Sequence, residues 1–315
     1  MKSRPDKKIF AVCFVKNEED IIADSLRHAA GFCDRIYVID NASDDRTWDI
    51  VLGLDLPPVV PVASLEFVFR DYHRVWFMGW KQAELGRNNW WYILDADMFL
   101  DGDPREAVAG AEEEGADAIA VNVVNFHLAG AEVEAARREG REEGWRDRVF
   151  YHLYESGEVF LFRNTGYLDY ETCAGRPLGL TREYSRRLVS RHYPCRSAEQ
   201  LAKRIRSRTG NPEFQPQLKK GPAWEGYLID PDSFAGIKTL DPEKGIDLSG
   251  GFSRVLPPLG REGRSRRFSR LVRVLYPLGL LPMFYAFYNR YAARRQKVDD
   301  REKADFLAKL AGSKA

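Results

Sequence analysis

IFAVCFVKNEEDIIADSLRHAAGFCDRIYVIDN, residues 9–41, decides the architecture. Ile9 to Val15 is an unbroken apolar run, the pattern of a strand buried on both faces of a parallel sheet. Asn17-Glu-Glu-Asp20 reads as a helix start, with Asn17 as the cap and acids in the first turn. Ile22, Leu26 and Ala29 then recur at helical spacing until Gly31. Arg35–Asp40 is a second strand, and the polar turn 41–47 leads into a helix through Trp48 and Ile50. Strand, helix, strand, turn and helix open a doubly wound α/β sheet.

Outward from that unit, Leu65–Phe69 predicts a third strand and Tyr72–Leu85 a helix. Trp90–Leu94 is an apolar strand that stops abruptly at Asp95-Ala96-Asp97. Asp117–Asn125, Glu158–Arg163 and Leu188–Tyr193 read as further strands. The charged stretch Glu132–Arg148, broken by Gly140 and Gly144, predicts an exposed helix pair or a mobile segment. Proline and glycine gather between Gly210 and Gly260, where irregular structure is expected.

The chain has 315 residues, 44% hydrophobic and 12% aromatic, which excludes a disordered or fibrous class. Its net charge of +1 argues against a dedicated nucleic-acid binder, and no nucleic-acid partner is expected. The charge is uneven. From Arg261 onward fourteen basic residues face five acidic ones, a surplus of nine that leaves the first 260 residues at −8. Such a basic arm suggests an anionic partner. Cys13, Cys33, Cys173 and Cys195 form no Cys-x-x-Cys pair and read as reduced residues of a cytoplasmic protein. The run Ile9–Val15 is too short for a signal-peptide core.

Ligands of open α/β sheets bind beyond the carboxyl ends of the strands. Three polar clusters fall at such ends: Lys16-Asn17-Glu18, Asp40-Asn41-Ala42-Ser43 and Asp95-Ala96-Asp97. Asp95 and Asp97 would repel each other if both were desolvated. A divalent cation removes that conflict, and hard carboxylate ligands suit Mg²⁺ or Mn²⁺. The bland alternative is a solvated turn with two stray acids. His192 ends an alternating strand among Arg182, Arg186, Arg187, Arg191 and Arg196. Such a patch matches a diphosphate, because guanidinium forks pair with phosphate oxygens; the alternative is a basic surface strand. His28, His73, His127 and His152 have no comparable setting and read as surface or core histidines.

AVCFVKNEED (11–20), IYVIDNASDDRT (36–47), WYILDADMFL (91–100) and RHYPCRSAEQ (191–200) together resemble the family 2 glycosyltransferases of GT-A fold. The resemblance covers roughly residues 8–208. It implies a metal-dependent, inverting transfer of a sugar from a nucleotide donor, a UDP-sugar foremost, to a glycan or lipid-linked acceptor. It further implies that the backbone of Phe14 and Val15, with Asn17 and Glu18, borders the nucleotide base. Asp40 and Asn41 would hold base and ribose; relatives often carry two acids here. Asp95 would reach the ribose and, through water, the metal. Asp97 would ligate the metal, with His192 as a further ligand or diphosphate contact. Met98 stands where relatives often carry Glu. Arg74 and Arg196 are candidate nucleotide contacts, and Arg70 shares the position of Arg74 between strand and helix.

On the inverting route a positioned carboxylate is expected to take the acceptor proton. Glu171 is the expected base, although Tyr170 replaces a histidine frequent in relatives; Asp147 and Asp169 are the next candidates. Val274–Asn289 is an uncharged aromatic run flanked by Arg264–Arg273 and by Arg290, Arg294, Arg295 and Lys297. Its prolines and length argue against a simple transmembrane span. It fits an interfacial segment at 264–297 on an anionic membrane surface, peripheral on the inner face; a core-packing or dimer-forming helix pair is the alternative.

The expected architecture is therefore an α/β domain of Rossmann-like GT-A type, a mixed sheet flanked by helices. Residues 1–125 form its nucleotide-sugar half and 126–235 its acceptor half, with 236–315 a basic and aromatic helical extension. Two rival readings stand beside it. One is a catalytically degenerate scaffold. The other is a sugar nucleotidyltransferase, which should show a glycine-rich loop where this chain has Lys16-Asn-Glu-Glu19.

Overall fold

The computed structural model describes residues 7–254 except 88, 143, 167, 172–175, 210–223 and 250, then 271–286 except 273, 276 and 281, and 300–313. Cys173, Arg264–Arg270 and Arg290–Lys297 lie outside these residues. In chain order the elements are β1 (Ile9–Val15), α1 (Ile22–Ala30), β2 (Arg35–Asp40), α2 (Thr47–Gly53), β3 (Val59–Ser64), α3 (Asp71–Leu85), β4 (Trp90–Leu94), β5 (Met98–Asp101) and α4 (Pro104–Glu114). They continue with β6 (Ala118–His127), α5 (Gly130–Glu139), β7 (Phe150–Arg163), β8 (Leu188–His192), α6 (Ala198–Arg208), β9 (Lys238–Thr239), β10 (Ser253–Arg254) and α7 (Asp300–Gly312).

The fold is α/β, one mixed sheet flanked by helices, in the strand order β3-β2-β1-β4-β7-β6-β8-β5. Strands β3, β2, β1 and β4 run parallel, so their carboxyl ends share one rim. All seven residues of β1 are buried, as its unbroken apolar run requires. β7 runs antiparallel between β4 and β6, and β8 is parallel to β6 and antiparallel to β5. Beyond β4, alternation sorts the side chains. Met98, Leu100, Val121, Val123 and Leu188 join the main core, while Phe99, Val124, Phe126, Tyr151 and Tyr193 form a second cluster.

The third strand is Val59–Ser64, not Leu65–Phe69. Pro61 lies inside it, which a central strand would not tolerate; β3 is the sheet's edge, where the missing donor costs no ladder bond. Residues 65–70 form an irregular loop whose Phe67 and Phe69 pack on Phe14, with ring centroids 5.9 and 5.7 Å away. Helix α1 starts at Ile22, and Asn17 does not cap it. Asn17 is left-handed (φ 56°), its N–H donates to Ser43 Oγ (2.9 Å), and its Oδ1 accepts from Asp44 N (3.0 Å). Glu132–Arg148 is neither a helix pair nor wholly exposed. It holds α5 and the 3₁₀ turn Trp145–Asp147, and it buries Val133, Ala136 and Arg148. Glu132 neutralises Arg148 at 3.1 Å, which is what lets that guanidinium go inside.

Beyond residue 236, β9 and β10 add to β7, and α7 docks on α3. Phe306 and Leu310 are buried in the main core. Tyr72 donates its hydroxyl to Glu302 at 2.7 Å, and the Phe306 ring lies 4.6 Å from that of His73. Burial outweighs the backbone hydrogen bond with Arg70 and pushes the His73 imidazole down to about 4.

Candidate active site

Two loops close over the carboxyl ends of β1 and β2. Lys16 Nζ donates to the carbonyls of Asn41 (2.7 Å) and Ala42 (3.2 Å), and Glu18 N to Thr47 Oγ1 (2.8 Å). Asp40 is fully buried; its carboxylate accepts from Ser43 N (3.0 Å), Ser43 Oγ and Ser64 Oγ (both 2.5 Å). Asn41 Oδ1 accepts from Phe67 N at 3.1 Å, and Asn41 N donates to Val15 O at 2.8 Å. In this arrangement Asp40 and Asn41 brace the rim. Ala42 sits at φ 48°, a left-handed conformation that costs an alanine about 1 kcal/mol.

The end of β4 gathers the charge. Asp95 pairs with Arg74, one turn into α3, whose guanidinium also lies over the Phe69 ring at 5.1 Å. Asp97 is buried, and its Oδ2 meets Arg204 Nη1 at 2.8 Å, His192 Nε2 at 3.5 Å and Arg196 Nη1 at 4.0 Å. Burial alone would raise this carboxyl; His192, Arg204 and Arg196 overcome it and hold Asp97 well below the usual carboxylate range. Arg196 has no exposed side-chain surface. It binds Glu18, both oxygens of Asp20 (2.7 and 2.9 Å) and Tyr193 O (3.1 Å). It is thus a brace between β1 and β8. Burial raises the Glu18 carboxyl even beside Arg196.

The expected repulsion between Asp95 and Asp97 is therefore relieved by arginines from α3 and α6. The described residues contain no group of three or more His, Cys, Asp or Glu placed to hold a metal ion. A shared site is a different matter. Asp97 Oδ2 and His192 Nε2 stand 3.5 Å apart, a span that two ligands at about 2.1 Å from one ion can subtend.

The expected bases do not join this cluster. Glu171 faces Lys303 of α7 at 2.5 Å, and it follows β7, whose last residue pairs with Trp90 at the start of β4. Asp147 accepts from Gly144 N, and its turn packs through Trp145 on Phe99 and Tyr193, the sheet face opposite His192. Asp169 is buried against the 178 segment, with backbone bonds to Leu178 in both directions. The basic patch around His192 also disperses: Arg191 turns to Asp101 (2.9 Å) and Arg187 to Glu183 (3.1 Å).

Three residues with clear places here were missed in the sequence. Arg204 follows Leu201 by three positions and precedes Ile205, so it rides the buried stripe of α6. That register was the available signal. His127 and His152 lie one strand apart on β6 and β7, with His127 Nε2 2.7 Å from His152 Nδ1 and Asn125 Nδ2 3.2 Å from His127 Nε2. Only the strand pairing reveals them.

No protein-family model and no curated protein matches the chain. Among solved structures it is similar to 4-diphosphocytidyl-2C-methyl-D-erythritol synthase, with 14% identity and a TM-score of 0.27. That similarity covers 39% of this chain and 64% of the other, so it spans less than two thirds of that protein. The fold assignment rests on the strand order and pairing above.

Proposed function

We propose that this chain is a glycosyltransferase that moves a sugar from a nucleoside-diphosphate donor to a hydroxyl acceptor by an inverting route. The observation that carries the reading is the cluster in which buried Asp97 meets His192 and Arg204 at the carboxyl end of β4, beside the braced ends of β1 and β2. A carboxylate wrapped in cations at the rim suits a diphosphate, whose charge grows as it departs. Arg204 presents positive charge to that diphosphate. Arg74, held by Asp95 and lying over the Phe69 ring, would meet the nucleoside. Asp97 and His192 would hold Mn²⁺ or Mg²⁺, which when bound neutralises the leaving diphosphate. A UDP-sugar is the donor we expect first.

The direct test is a thermal-shift panel of UDP, GDP, CDP and dTDP, each with and without Mn²⁺, on wild type and Asp97→Asn. A ligand at a hundredfold excess over its Kd stabilises by about 2.7 kcal/mol, which is several degrees in Tm. We expect one nucleotide with Mn²⁺ to give that shift and Asp97→Asn to lose it. No shift with any nucleotide, on folded protein, refutes the reading.

We further propose that the extension meets an anionic membrane from the cytoplasmic side, where a lipid-linked acceptor would lie. No helix among the described residues is long and apolar enough to cross a membrane. Val272 and Tyr285 pack with Leu178, while Val274, Leu278 and Met283 are 57–71% exposed between the basic runs of the sequence. Apolar side chains beside arginines are what an interfacial segment requires. Leu278→Glu with Met283→Glu should release the protein from phosphatidylglycerol vesicles in a sedimentation assay. Equal sedimentation of the double variant and wild type would count against this placement.

A further inference from the structure

The strand register lays four side chains in one row across the sheet. Met98 pairs with His192, His192 with Asn125, and Asn125 with His152. Directly paired residues share a face, so the row runs along the face that carries the Asp97 cluster. Strands lie about 4.8 Å apart, which puts His152 about 10 Å from His192, on the side away from β5. That is roughly the reach of a phosphate and a sugar ring beyond a diphosphate held at His192.

The contacts around His152 favour one tautomer. With the Asn125 amide nitrogen set toward His127 Nε2 at 3.2 Å, that ring nitrogen accepts and carries no proton. The 2.7 Å contact then requires His152 Nδ1 to carry the hydrogen. In a neutral ring this leaves the lone pair on His152 Nε2, which has no hydrogen-bond partner among the described residues. The ring is fixed in place. Tyr154 stacks at 5.3 Å and 23°, and Phe234 lies 5.6 Å away on a tilted plane. A histidine held in one tautomer by a second group, with its free nitrogen directed elsewhere, is the arrangement of a general base and its orienting partner. Two polar atoms in the row remain buried without partners, Asn125 Oδ1 and His192 Nδ1.

We propose that His152 is the proton acceptor for the acceptor hydroxyl, with His127 and Asn125 as its positioning residues. This rests on the glycosyl-transfer reading and replaces Glu171 and Asp147 in it. The hydroxyl oxygen forms the bond to the anomeric carbon. The bond from that carbon to the phosphate oxygen breaks, and its electron pair leaves with the nucleoside diphosphate. The hydroxyl proton passes to His152 Nε2.

The test measures nucleoside diphosphate release from UDP-glucose, UDP-galactose, UDP-N-acetylglucosamine, GDP-mannose and dTDP-rhamnose by wild type, His152→Ala, His152→Gln and His127→Gln. The nucleotide thermal shift is read on every variant. His152→Ala should lower release about 10²- to 10⁴-fold with the thermal shift intact, and added imidazole should recover part of it. His152→Gln, closer in volume, gives the same readout should the alanine variant fail to fold. His127→Gln should lower release less. Release within threefold of wild type in a folded His152 variant overturns the proposal, as does a loss that imidazole leaves unrelieved. Wild type without a nucleotide shift would sink the transfer reading and this proposal together. A normal shift with unaffected His152 variants would sink this proposal alone.

Discussion

Arg196→Met is expected to lower the unfolding free energy by about 3–5 kcal/mol, because it strips the cation from buried carboxylates. For a domain of this size that is a fall in Tm of roughly 10 °C. Arg196 has no exposed side-chain surface, and it meets Glu18, Asp20 and Asp97 at once. Methionine fills much of the space but leaves Glu18 and Asp97 as neighbouring buried anions. The pH dependence gives the sign. In wild type Asp97 is held below its unfolded value, so its contribution is present above about pH 4 and is lost as pH falls through the lowered value. Glu18 is raised, and without Arg196 it rises further; a raised carboxyl stabilises below its unfolded pKa and that contribution is lost as pH rises. The deficit of Arg196→Met should therefore be largest near pH 8 and shrink toward pH 5. Urea unfolding at the two pH values measures it, and a deficit that grows on acidification would contradict the assignment.

Phe306→Ala should cost about 3–5 kcal/mol, the usual loss for a fully buried phenylalanine. Its ring lies 5.4 Å from Phe67, 4.6 Å from His73 and 6.2 Å from Phe14, so truncation opens a cavity between α7 and the rim loop. Hydrogen exchange should show α7 amides and the 65–70 segment losing protection together, with β6 and β7 little changed. Uniform loss across the sheet, or no loss at all, would contradict a local docking role for α7.

The parallel half of the sheet is legible because its strands are buried on both faces, and an unbroken apolar run bounded by polar turns fits few arrangements besides a central strand. Val59–Ser64 was hidden by Pro61, whose meaning depends on whether a strand is central or at the edge, and local sequence does not say. Asp95 and Asp97 were recognisable as a charged strand end. Their neutralisation was not, because Arg74 and Arg204 arrive from helices 21 residues before Asp95 and 107 after Asp97. The His127–His152 pair depends on register between β6 and β7, and a slip of one residue would put the two rings on opposite faces. Spacing along the chain carries no trace of it.

The bond between Tyr72 and Glu302 joins residues 230 positions apart. A ribosome adding 5–20 residues per second takes roughly 10–50 s to make the stretch between them. During that interval Phe14, Phe67 and Phe69 have been synthesised while the helix that covers them has not. The nascent chain therefore passes through a stage with an aromatic surface open to solvent, and a chaperone has tens of seconds in which to hold it.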